Sequence, residues 1–209
     1  LGLNRRQFMA ATTGMAAAAA VTAPSALARP GGNANGLPIP APKRGIILYT
    51  VRDAVGRDPL ATNLASGFKE VLTELSSIGF RQIEFAGYRQ HANAEGGADL
   101  NNVAGATLLR SWLDANGLEA EGNHGSIPST VSDATIASFD TACEIANILG
   151  MGHIGTGSDP TSSAFLPDWQ AAAERWNFFG ARASRHGLKP YTHNHPPAYS
   201  FLPDRGPPA

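Results

Sequence analysis

The sequence predicts an α/β fold built from about five consecutive β/α units, on two observations. First, one joint recurs four times, Ile78-Gly79-Phe80, Asn116-Gly117-Leu118, Leu149-Gly150-Met151 and His186-Gly187-Leu188, at intervals of about 33 to 38 residues. That interval holds one strand, one helix and two loops of a parallel fold. Each glycine can take the left-handed conformation that closes a helix, and the apolar residue after it leads into the next strand. Second, polar side chains gather at the C-terminal end of nearly every expected strand.

Strands are expected at Gly45 to Thr50, Gln82 to Ala86, Leu118 to Asn123, Gly152 to Thr156 and Lys189 to His193. Helices are expected between them, at about Leu64 to Ile78, Ala104 to Asn116, Asp133 to Leu149 and Asp168 to His186. In the third helix Ile136, Phe139, Cys143, Ala146 and Leu149 fall on one face at spacings of three and four. Cys143 therefore reads as a small core residue, with no basic neighbour in view to make it a reactive thiol. The phosphate-binding glycine pattern of the dinucleotide fold is missing after the first strand, where Tyr49-Thr50-Val51-Arg52-Asp53 stands. An eight-stranded barrel, which assembles its sites at the C-terminal strand ends, suits the chain better than an open doubly wound sheet. The fold class expected is thus α/β of the (β/α)8 TIM-barrel type, incomplete, with about the first five units spanning residues 44–201.

Ahead of the barrel, Asn4-Arg5-Arg6-Gln7-Phe8-Met9 sets an arginine pair before an apolar residue. A weakly hydrophobic run from Ala10 to Val21 and the small-residue site Ala26-Leu27-Ala28 follow. That order describes a twin-arginine signal peptide over residues 1–28, a substrate of the twin-arginine export machinery, with a periplasmic or secreted mature chain. A run of about a dozen Ala-, Thr- and Gly-rich residues is too short to anchor stably in roughly 30 Å of hydrocarbon. Residues 29–43, rich in Pro, Gly and Asn, read as a linker, and residues 202–209 as an irregular tail.

Composition narrows the function. The 209 residues include 16 Lys plus Arg against 17 Asp plus Glu. This near-balance gives no field for nucleic acid, so an endonuclease-like barrel is disfavoured. The one cysteine excludes an intramolecular disulfide and a multi-thiolate zinc site.

The strand ends carry Tyr49 and Arg52, then Glu84, then Asn123 and His124, then Thr156 and Ser158, then His193, Asn194 and His195. Glu84 lies between Ile83 and Phe85, and alternation aims it at the opposite face from theirs, inward if they pack on helices. Alternation likewise puts His193 and His195 on one face, and paired neutral imidazoles commonly begin a divalent metal site. His91, His153 and His186 read as background: a loop residue, a strand residue facing away and a helix C-terminal cation.

Leu48-Tyr49-Thr50-Val51-Arg52-Asp53, Gly79-Phe80-Arg81-Gln82-Ile83-Glu84, Asn123-His124 and Tyr191-Thr192-His193-Asn194-His195 together resemble the xylose isomerase-like family of sugar phosphate isomerases and epimerases. The resemblance implies a TIM barrel that binds a small sugar or polyol. It also implies a divalent metal (Mn, Mg or Zn) assisting proton abstraction in isomerisation, epimerisation or dehydration. By the same resemblance Glu84 and His124 are catalytic, Tyr49, Arg52 and Asn194 bind substrate, and His193 and His195 hold the metal. Two departures stand out. Relatives often follow the His-Asn-His segment with a glutamate, where this chain has Pro196-Pro197-Ala198-Tyr199. Barrels of this kind also run to about 250 residues. If no further units follow, unpaired strand edges predict poor solubility, self-association and no turnover, while Ala198 and the ligands then missing support the alternative reading, a non-catalytic sugar-binding fragment.

On the export reading, the protein recovered from the periplasm of a twin-arginine-competent bacterium should begin at Arg29 by mass spectrometry. An uncleaved product there would contradict it.

Overall fold

The computed structural model describes residues 39–125 and 127–196. The signal segment with its Ala28 site, the linker up to residue 38, Pro197-Ala198-Tyr199 and the tail 202–209 lie outside the described residues. Five parallel strands form one sheet in sequential order: β1 (Gly45–Ile47), β2 (Gln82–Phe85), β3 (Glu119–Gly125), β4 (His153–Thr156) and β5 (Lys189–Thr192). The helices are a short α1 (Arg52–Val55), then α2 (Gly67–Ser77), α3 (Val103–Asn116), α4 (Asp133–Ile148) and α5 (Leu166–Arg185). A run of neighbouring parallel strands joined by helices is the wall of a β/α barrel, and the described residues make five strands of it with a helix after each of the first four.

The repeated joint behaves as its chemistry requires. Gly79, Gly117, Gly150 and Gly187 all have positive φ, from 59° to 103°, and each stands between a helix and the next strand. Helix starts are fixed by side chains: Asn102 accepts from the Gly105 amide, and Ser132 and Thr135 cap α4 reciprocally. The start of α2 is held from a distance, because the Gln90 side chain accepts from the Phe68 amide at 2.8 Å while donating to the Glu95 and Gly97 carbonyls.

The core lies between the sheet and the helices. Ile83 and Phe85 of β2 are fully buried, as are Leu72 of α2, Leu109 and Leu113 of α3, Cys143 of α4 and Phe179 of α5. The expected α4 face is in place, with Phe139, Cys143, Ala146 and Leu149 buried and Ile136 packed against them. Burial, with Asp140 adding to it, pushes the Cys143 thiol up to about 11, in keeping with a packing role. Arg182 of α5 forms a two-pronged pair with Asp140 of α4, and His186 lies 3.6 Å from the same carboxylate.

Two local expectations are corrected. The first strand stops at Ile47, and Leu48–Val51 turns into a 3-10 helix that passes into α1 instead of continuing to Thr50. Leu48 is buried and Tyr49 exposed, so the apolar residue draws the turn inward. The fifth strand ends at Thr192, although the His193 amide still donates to the Thr156 carbonyl.

Phe139 is 1% exposed and meets the Phe179 ring at a centroid distance of 4.9 Å. Phe139→Ala should lower the unfolding free energy in urea by about 3–5 kcal/mol. A loss below about 1 kcal/mol would mean that α4 and α5 are not packed as described.

Candidate functional site

Alternation along β2 sends Ile83 and Phe85 to the helices and Glu84 to the inner face, as its neighbours predict. On β3 a register shift opposite Ile83 and Glu84 pairs Ile83 with Ala120 and Glu84 with Gly122, so Glu121 is the extra residue of a bulge. The bulge turns the following residues, and His124 arrives with its Nε2 3.1 Å from Glu84 Oε1. The distance permits charge attraction, but the atoms are out of line for a hydrogen bond, and Nε2 is buried without another partner among the described residues. The hydrogen bond to Glu84 comes from farther away: the Tyr191 hydroxyl of β5 donates to Oε1 at 2.5 Å.

Tyr191 reaches β2 by lying across the inner face of the two strands between. A Cβ on Gly155 of β4 would fall 2.5 Å from Tyr191 Cε1, and one on Gly122 of β3 would fall 2.8 Å from its hydroxyl oxygen. Neither strand could carry a side chain at these positions while the ring stays where it is.

The histidines follow in series. The His193 ring stands 4.7 Å from His124, nearly perpendicular to it, and 4.9 Å from His195, centroid to centroid. Alternation within a strand does not bring this about, since both residues lie beyond β5. The segment is pinned from the loop after β4, where both Asp159 carboxylate oxygens accept from the His195 amide, and the Thr156 and Thr192 hydroxyls donate to the Ser158 carbonyl.

Glu84, His124, His193 and His195 therefore form one contiguous group at the C-terminal side of the sheet. Asn194 lies exposed between the last two. Tyr49 and Arg52 are engaged with one another instead: the guanidinium sits 4.3 Å over the Tyr49 ring, and Nη1 donates to the Tyr49 carbonyl. Asn123 accepts from the Gly87 amide and supports the rim.

Glu84, Glu121, Gly122, His153 and Tyr191 line an inner cavity of about 240 Å³. His153 thus faces inward and is not the outward strand residue expected; it shares its face with Gly155, two residues on. A larger cleft of about 1000 Å³ runs past His124 and Asn123 toward α4, with Thr135 and Phe139 on its far wall. Glu84 lines the smaller space and His124 the larger. Sequence reasoning passed over Tyr191, Asp159 and Glu121, whose roles rest on contacts between strands far apart in sequence.

A divalent metal needs several converging donors. Among the described residues no group of three or more His, Cys, Asp or Glu side chains is disposed to hold one. His193 and His195 offer two imidazoles, while Glu84 Oε1 is taken by Tyr191. The described residues do not make a metal cage, and the chemistry they can perform themselves is acid–base.

Burial holds the His124 pKa below the usual histidine value; the Glu84 charge opposes this, and His193 and His195 reinforce it. Burial, then the hydrogen bond to Glu84, raises the Tyr191 phenol, which stays a donor. As pH falls through 6.5, the unfolded chain takes the histidine proton before the folded one does, so His124 lowers stability on the acid side. By NMR titration His124 should titrate below 6.5, and lower still in Glu84→Gln, which removes the one neighbour favouring the cation. An upward movement in that variant would contradict this electrostatic picture.

No protein-family model matches the chain, and no curated protein matches it either. Solved structures do share its fold. A sugar phosphate isomerase/epimerase from Parabacteroides distasonis aligns with a TM-score of 0.51 at 22% identity, over 73% of this chain and 51% of that one. The probable 3-DHS dehydratase of petrobactin synthesis from Bacillus anthracis gives 0.53 at 17% identity, over 74% and 53%. A xylose isomerase domain containing protein from Salmonella typhimurium gives 0.53 at 10% identity, over 75% and 50%. The chain spans about half the length of these structures, and its five parallel strands with their connecting helices have the TIM-barrel architecture that they share.

Proposed function

We propose that the chain carries the proton-transfer half of a sugar isomerase/epimerase-type barrel acting on a small sugar or polyol. The observation that carries this reading is Glu84, an inward carboxylate on β2 with a phenol donor at 2.5 Å and an imidazole at 3.1 Å. A carboxylate held beside a sugar carbonyl can remove the proton from the adjacent carbon, the step shared by isomerisation, epimerisation and dehydration. Neutral His124, its cationic form disfavoured by burial, can carry a proton between neighbouring oxygens of the sugar. His193, Asn194 and His195 offer further polar contacts to hydroxyl groups at the rim.

A divalent cation held in part by His193 and His195 belongs to the same proposal, as does export by the twin-arginine route. Zinc binding measured by calorimetry should weaken in His193→Ala and His195→Ala alike. A second reading, sugar binding without chemistry, is favoured by the lack of a three-donor metal group among the described residues.

One experiment separates them. The protein is incubated with D-fructose, D-xylulose and their phosphate esters in D2O, and deuterium uptake beside the carbonyl is followed by NMR. Uptake above buffer, cut by about 10²–10⁴-fold in Glu84→Gln, is the expected result. Saturable binding with no uptake points to the binding module, and uptake unchanged in Glu84→Gln contradicts the assignment of the base.

A further inference from the structure

We propose that Tyr191 is the positioning residue for Glu84: its hydroxyl, carried over the glycine floor of Gly122 and Gly155, fixes which carboxylate oxygen is offered to substrate. This rests on reading Glu84 as the proton acceptor. Three observations converge on it. The hydroxyl donates to Oε1 at 2.5 Å, across 107 positions of sequence. The His124 imidazole approaches that same oxygen, so both neighbours described converge on Oε1 of the carboxylate. The ring also occupies space that two strands keep clear by having no side chain there.

A free glutamate side chain samples many rotamers, and a base that must meet a C–H bond at close range loses rate when it wanders. The phenol limits this wandering without taking part in the proton transfer. A phenol hydroxyl carries a proton at neutral pH and here points it at the carboxylate. Tyr191 also lines the inner cavity beside Glu84, where its ring closes one side of the space next to the base. The arrangement therefore places the donor and the base on the wall of one cavity.

The test uses two variants of the full chain. Tyr191→Phe keeps the ring and removes only the hydroxyl. Gly122→Ala keeps the hydroxyl and pushes it from its seat, since the added Cβ would lie 2.8 Å from it. With carbon-13 label in the glutamate carboxyls, the Glu84 carboxyl resonance at fixed pH should shift in both variants. In the exchange assay with D-fructose, kcat should fall by about ten- to a hundred-fold with KM little changed, and the two losses should not add in the double variant. An unmoved Glu84 resonance in Tyr191→Phe overturns the proposal, as does a loss shared equally by kcat and KM. If the parent protein shows no exchange with any ketose, the proton-acceptor reading fails, while the carboxyl resonance still decides whether Tyr191 holds Glu84.

Discussion

One hydrogen bond, from the Tyr191 hydroxyl to Glu84 Oε1, ties the fifth strand to the second across the inner face of the sheet. A hydrogen bond to a carboxylate is worth of the order of 1.5–3 kcal/mol, less where, as here, the acceptor side chain is partly exposed. Its larger consequence is geometric. The phenol can span β3 and β4 only if both strands present glycine beneath it, and Gly122 and Gly155 do so. The carboxylate's hydrogen bond and the lining of the inner cavity both come from that crossing.

Around this contact the site is layered by charge. Glu84 faces a phenol whose protonated form burial favours and an imidazole whose cation burial disfavours. His193 and His195 extend the polar strip outward, and Asp159 fixes them through the His195 backbone amide. A base placed at the inner end of such a strip, with uncharged donors beside it, can take a proton from carbon and keep a polyol oriented.

Much of the architecture could be read from the sequence because its signals are local. A glycine past each helix, an apolar residue after it and one apolar face on α4 are short-range features, and each appears in the structure where the pattern placed it. The inward turn of Glu84 followed from its two neighbours in the same way. Contacts made over long sequence distances could not be seen: Gln90 capping α2, Tyr191 reaching Glu84, and Asp159 pinning His195. The approach of His193 to His195 was expected for an incomplete reason, since strand alternation ends at Thr192 and the loop after β4 does the rest. His153 faces inward, against the sequence expectation, because it shares the strand phase of Gly155, whose inner face only the Tyr191 contact reveals.

The central claim concerns where one ring lies, and nuclear Overhauser contacts in the intact protein test it directly. Strong cross-peaks from the Tyr191 ring protons to the Hα protons of both Gly122 and Gly155 are the expected result. A Tyr191 ring showing contacts only to residues of its own strand, or to the helices on the outer face, would contradict the account.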